Sequence, residues 1–117
     1  MWSVEYTDEF GFWFEGLGPR EQNTVVIAVE QLELLGPGLG RPWVDTVGGS
    51  RHPNLKELRP RGGFLRILFA FDPRRTAILL TGGDKRNRWA DWYETAVPGA
   101  DRLYEEYLEE IRREGLI

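Results

Sequence analysis

Residues 64–71 read FLRILFAF, apolar at every position except Arg66. A strand with one wet face would alternate; an almost unbroken apolar run marks a strand covered on both faces. Asp72-Pro73-Arg74-Arg75 follows as an exposed turn, because proline pre-sets the backbone of the second turn position. Residues 76–81, TAILLT, form the returning strand, and Gly82-Gly83 is expected to end it. Upstream, residues 55–59 form a shorter strand, stopped by Pro60 and by Gly62-Gly63.

The flanks carry helical spacing. Residues 2–6 alternate, with Trp2, Val4 and Tyr6 on one side, as a short first strand does. Thr7 or Asp8 caps a helix running to Leu17, with Phe10, Trp13, Phe14 and Leu17 on one stripe. Pro19 opens a second helix over residues 19–35, whose buried stripe is expected to be Val25, Val26, Val29, Leu32 and Leu35. Gly36-Pro37-Gly38 stops it, and residues 36–54 are predicted to be a loop pinned by Trp43 and Val44. Residues 87–96 predict a helix with Trp89, Trp92, Tyr93 and Ala96 on one side. Val97-Pro98-Gly99 is expected to break it, with Pro98 opening a last helix. That helix sets Leu103, Tyr104, Tyr107, Leu108 and Ile111 against Glu105, Glu106, Glu109 and Glu110 on the opposite side. The order β-α-α-β-β-β-α-α predicts an α+β fold, with helices packed on a small sheet.

At 117 residues the chain suits one domain spanning 1–117. No apolar run approaches the ~20 residues that cross a membrane. The opening MWSVEYTDEF carries acids where an export signal needs positive charge, so a cytoplasmic location is expected. There is no cysteine, which removes disulfides, thiol nucleophiles and Cys-ligated metals. With His52 as the sole histidine, in a loop, no metal or other cofactor is expected.

Charge changes the picture more than composition does. Residues 55–88 hold nine Lys/Arg and three acids, a net of +6, inside a chain of net −4. Residues 1–50 and 89–117 are acidic, at −6 and −5. A basic central sheet in an acidic chain suits local contact with a polyanion. Arg66, in the middle of an apolar strand, needs an anion, a carboxylate or a route to water. Glu57 across the sheet could answer it. Alternatively Arg66 joins Arg59, Arg61, Lys85 and Arg86 in a phosphate-binding floor, a task suited to the fixed fork of arginine. Trp89, Trp92 and Tyr93 follow directly and could stack on the bases of a single strand.

The run LKELRPRGGFLRILFAFDPRRTAILLTGGDKRNRWADWYETAVPGADRLYEEYLEE resembles the toxins of type II toxin–antitoxin modules. The resemblance is to the RelE/ParE superfamily, on its HigB-like branch, which includes phage-derived proteins. Its pieces are the ELR strand, a glycine before an Arg-bearing apolar strand, a second apolar strand ending in glycine, and a basic turn entering a helix. The resemblance implies a compact RelE-like fold with a mainly antiparallel sheet. It implies a ribosome-dependent endoribonuclease that cuts mRNA without a metal, the ribose 2′-OH attacking the adjacent phosphate. It further implies a cognate antitoxin encoded nearby, of helix-turn-helix type. Carried over, Arg66 holds the scissile phosphate, Lys85 and Arg86 are the catalytic basic pair after the last strand, where Arg86 stabilises developing charge, and Lys56 and Arg59 are the basic positions of the earlier strand. Arg61, Arg88, Trp89 and Trp92 complete the expected RNA contacts. Several relatives place a Tyr or His acid/base where this chain has Trp92, which cannot transfer a proton: either Tyr93 or Lys85 takes the role, or activity is weak, or the target differs. The alternative reading is a ParE-like poison of DNA gyrase, or a homologue that only binds antitoxin.

Overall fold

The computed structural model describes residues 1–86 and 89–117, and of Trp89 and Ala90 the backbone alone. The elements are β1 (Val4–Tyr6), α1 (Asp8–Glu15), α2 (Pro19–Leu35), a 3-10 turn (Gly36–Gly38), β2 (Val44–Thr46), β3 (Lys56–Leu58), β4 (Leu65–Phe71), β5 (Ala77–Asp84) and α3 (Trp89–Arg113). The five strands form one sheet in the order β1-β5-β4-β3-β2. β1 runs parallel to β5, and the other neighbours are antiparallel. The α+β expectation holds.

The sheet is covered on both faces, as the apolar run of β4 requires. On one face, Ile67 and Phe69 of β4 and Leu79 of β5 meet Phe10 of α1 and Val25, Ala28 and Leu32 of α2. On the other, Leu68, Ala70, Ile78 and Leu80 meet Val97, Ala100, Leu103 and Tyr104 of α3. Thr7 is the N-cap of α1: its hydroxyl accepts from the Phe10 N–H at 3.1 Å and donates to the Leu80 carbonyl at 2.6 Å. One side chain thus starts the helix and ties it to β5. Pro19 starts α2, where its missing N–H costs nothing. Of the expected α2 stripe, Val25 and Leu32 are buried and Val29 is half-buried, while Val26 and Leu35 are exposed. Ala28 takes the place between them, because the contact line follows the 3.6-residue period more closely than the valine run does.

Three expectations about where elements begin and end need correction. The stretch 36–54 is not all loop: Val44–Thr46 pairs with β3 and extends the sheet, with Val44 buried. Gly82-Gly83 does not end β5, which continues to Asp84. Both glycines are covered by indoles: a Cβ at Gly82 would strike Trp13, and one at Gly83 would strike Trp92. They are the places where a ring lies on the backbone. Finally, Pro98 does not separate two helices, because α3 is continuous through it. Val97 before the proline and Ala100 after it bury against the same sheet face, and that burial carries the helix across.

The turn also differs from the expectation of an exposed basic loop. Asp72 is buried and accepts from the backbone of Arg74 at 2.8 Å and of Thr76 at 3.0 Å. The Arg74 guanidinium donates back to Asp72 at 2.9 Å and to the Tyr107 hydroxyl at 2.8 Å. Arg74 therefore fastens the turn to α3, and Arg75 completes the turn with φ 67°.

Candidate active site

The centre of the site is Glu57, which is 3% exposed. The register places it opposite Leu68 on the α3 face, so it is not the cross-strand partner of Arg66. Its Oε1 accepts from the Tyr93 hydroxyl at 2.5 Å. Its Oε2 lies 2.7 Å from Nε and 2.6 Å from Nη2 of Arg59. Asp45 on β2 reaches the same guanidinium at 3.4 Å. β2, β3 and α3 thereby lock one carboxylate, one tyrosine and one arginine together.

Arg66 shares the α3 face with Leu68 and Ala70 by strand alternation. Its Nη1 donates to the Leu65 carbonyl at 2.7 Å. Its Nε is buried and has no hydrogen-bond partner among the described residues. A buried guanidinium N–H left this way is costly unless an anion answers it. Opposite Arg66 stands Gly83, whose missing side chain leaves room for the Trp92 indole. Trp92 meets Tyr93 edge to face, with ring centroids 4.8 Å apart.

Lys85 follows β5, tied by its backbone N–H to the Phe64 carbonyl at 3.2 Å. Its ammonium lies 6.0 Å from the centre of the Tyr93 ring. Burial pulls its pKa below the ordinary lysine value, and the charges of Arg66 and Arg59 add to this while Glu57 opposes it. Tyr93 moves the other way. Burial, then the hydrogen bond to Glu57 and its charge, push its hydroxyl up to about 12. The site therefore sets a softened ammonium beside a phenol held in its protonated form.

The fold brings Arg59, Arg66, Lys85, Trp92 and Tyr93 together and leaves other expected residues outside. Lys56 lies opposite Phe69, on the sheet face covered by α1 and α2. Arg61 lies with its guanidinium 5.7 Å from the Trp43 ring centre. Arg86 is ion-paired with Asp84 and lies 5.5 Å from the Phe64 ring centre. Arg88 and the side chain of Trp89 fall outside the described residues. His52, expected in an open loop, docks on α3, with Nε2 3.0 Å from the Glu105 carboxylate and its ring edge-on to Tyr104. In the sequence, Glu57 stands out only as a partner for Arg66. The available signal was its position: an acid on the same strand face as Arg59, in the most basic stretch of the chain.

A five-stranded sheet of this order, helix-covered on both faces, is a RelE-like fold. The fold is shared with the isolated E. coli RelE toxin: TM-score 0.61, 11% identity, over 82% of this chain and 96% of that one. It is shared likewise with a RelB-RelE antitoxin-toxin complex from Methanococcus jannaschii, at TM-score 0.59 and 12% identity over 77% of this chain and 99% of that one. Residues 12–105 match the family described as Phage derived protein Gp49-like. Two Mycobacterium tuberculosis proteins that carry toxin names are similar to most of the chain. HigB2 is 46% identical over 92% of this chain, which spans only 54% of HigB2. HigB3 is 51% identical over 82% of this chain and 84% of its own length. The chain belongs to the Gp49-like family that these HigB-type relatives represent.

Proposed function

We propose that this protein is a toxin that cuts mRNA on the ribosome by internal phosphoryl transfer. The observation that carries the reading is the convergence of Arg66, Lys85 and the Tyr93–Glu57 pair on one face at one end of the sheet. In that reaction the 2′-oxygen loses its proton and attacks phosphorus. The bond from phosphorus to the 5′-oxygen breaks, leaving a 2′,3′-cyclic phosphate and a 5′-hydroxyl. Arg66 has a buried N–H to offer the non-bridging oxygens as their charge rises. Lys85, with its lowered pKa, gives a proton to the leaving 5′-oxygen. The Tyr93 oxygen takes the 2′ proton as its own passes to Glu57, since a hydroxyl pushed up to about 12 is a poor base alone. Arg59 holds Glu57 in place for this.

The chemistry asks nothing of a metal. The partner in this reading is a nearby-encoded antitoxin with an acidic segment, attracted by the +6 of residues 55–88. The neighbouring RelB-RelE complex supports such a partner. The test is to induce the protein alone and follow amino-acid and thymidine incorporation while mapping mRNA 5′ ends. Protein synthesis should stop first, with new 5′ ends inside codons. Sustained protein synthesis with collapsing DNA synthesis would transfer the assignment to gyrase.

A further inference from the structure

Arg61 and Arg86, which the fold leaves out of the Glu57 cluster, line a second cleft. It has a volume of about 240 Å³ and lies between the β3–β4 connection and the start of α2. Arg20 of α2 adds a third guanidinium, and Glu21 is the acid on its wall. Phe64 on the rim is 51% exposed, and Arg86 lies 5.5 Å from its ring centre. Among the described residues, nothing lies within 4 Å of where a Gly63 Cβ would stand, so the floor is open there. α2 begins at this cleft with Gly18 as N-cap and no side-chain cap, which adds the positive end of a helix to the field.

The cleft and the Glu57 cluster sit back to back at the same end of the β4–β5 hairpin. Leu65, which lines the cleft, is the strand neighbour of Arg66 and faces the opposite side of the sheet. Asp84, opposite Leu65, precedes Lys85 of the cluster and Arg86 of the cleft. A single strand held by Arg66 on one face reaches the cleft by passing over the end of the hairpin. Three guanidiniums suit a phosphate, and an exposed ring under a guanidinium suits a base.

We propose that this cleft is a nucleotide subsite, taking the phosphate and base of a residue that flanks the cut in single-stranded RNA. The inference rests on the endonuclease reading and extends it to how the strand is gripped. It explains an exposed phenylalanine beside Arg86 and gives Arg20, far from residues 55–88 in sequence, a role at the same end.

The test uses the whole protein and a fluorescein-labelled 2′-O-methyl oligoribonucleotide, which cannot be cut. Arg20→Ala should weaken binding and lower the slope of log K against log salt by about 0.7, one phosphate contact on a single strand. Phe64→Ala should weaken it roughly 5- to 150-fold, the loss of one stacked base. Glu21→Gln should tighten it. Cleavage by the wild type on programmed ribosomes is read separately. If the variants bind less well and the wild type cuts nothing, the subsite stands and the endonuclease reading fails. If the wild type cuts while both variants keep its affinity and salt slope, the subsite fails alone. Failure of the wild type to bind the oligonucleotide overturns the subsite. So does a loss confined to binding of an acidic antitoxin peptide.

Discussion

Arg66 and Lys85 are asked to do different work, and their substitutions should separate it. Arg66→Ala removes a donor aimed at transition-state charge, worth about 3–4 kcal/mol, so cleavage should fall roughly 100- to 1000-fold with ribosome binding nearly intact. In the proposed reaction Lys85 acts as an acid and must be protonated. Because burial and the neighbouring arginines lower its pKa, activity should fall as pH rises through a value below the ordinary lysine range. Lys85→Arg should remove that alkaline limb and slow the reaction, and a pH–rate profile of single-turnover cleavage reads both. Tyr93→Phe should cost about 100-fold if the hydroxyl takes the 2′ proton. The basic residues were legible because they interrupt apolar runs or crowd a turn. The Glu57–Tyr93 bond was not, since it joins residues 36 positions apart and depends on where α3 crosses the sheet. Arg20 was illegible for a similar reason: only the packing of α2 brings it to the β3–β4 connection.

Two elements carry the consequences of long-range packing. Pro98 sits inside α3, exposed, where proline removes a backbone hydrogen bond and crowds the preceding turn. Pro98→Ala should raise stability by about 2 kcal/mol, seen as a higher urea midpoint at unchanged slope. In the β4–β5 turn, Arg74→Ala would strip the buried Asp72 carboxylate of its guanidinium. It should cost about 2 kcal/mol of stability while leaving cleavage per folded molecule unchanged. Arg75→Ala, in the same turn, should be much milder. Most strands and helices were readable because local period and burial agree in them. The misread ones are where they disagree. Glycines beneath Trp13 and Trp92 look like breakers, and a proline with buried neighbours on both sides looks like a helix boundary. The short strand at Val44–Thr46 has too few residues to announce a period.

Across the molecule, charge is separated. Arg20, Arg59, Arg61, Arg66, Lys85 and Arg86 gather around the β3–β4 connection. Glu5, Asp8, Glu9, Glu106, Glu110 and Glu114 line a cleft of about 490 Å³ beside β1, at the sheet edge. Attraction of an acidic antitoxin to the basic end should appear mainly in the association rate, falling steeply between low and physiological salt. Stopped-flow mixing checks this, and Arg66→Ala should blunt the dependence. Among the described residues, no helix is long and apolar enough to cross a membrane. The overall asymmetry was visible in the residue counts, but its resolution into the Glu57 cluster and a second cleft was not. Strand alternation sorts neighbouring basic residues to opposite faces, and that sorting depends on the register and on the irregularity near Leu68.

The most direct test of the central claim is single-turnover cleavage of mRNA on programmed ribosomes, comparing wild type with Arg66→Ala of matched circular dichroism. The expected result is cutting within the exposed codon by the wild type, giving a 5′-hydroxyl product, and a rate at least about 100-fold lower for the variant. Equal rates for the two proteins, or intact mRNA with the wild type, would contradict the assignment of this face as the active site of a ribonuclease.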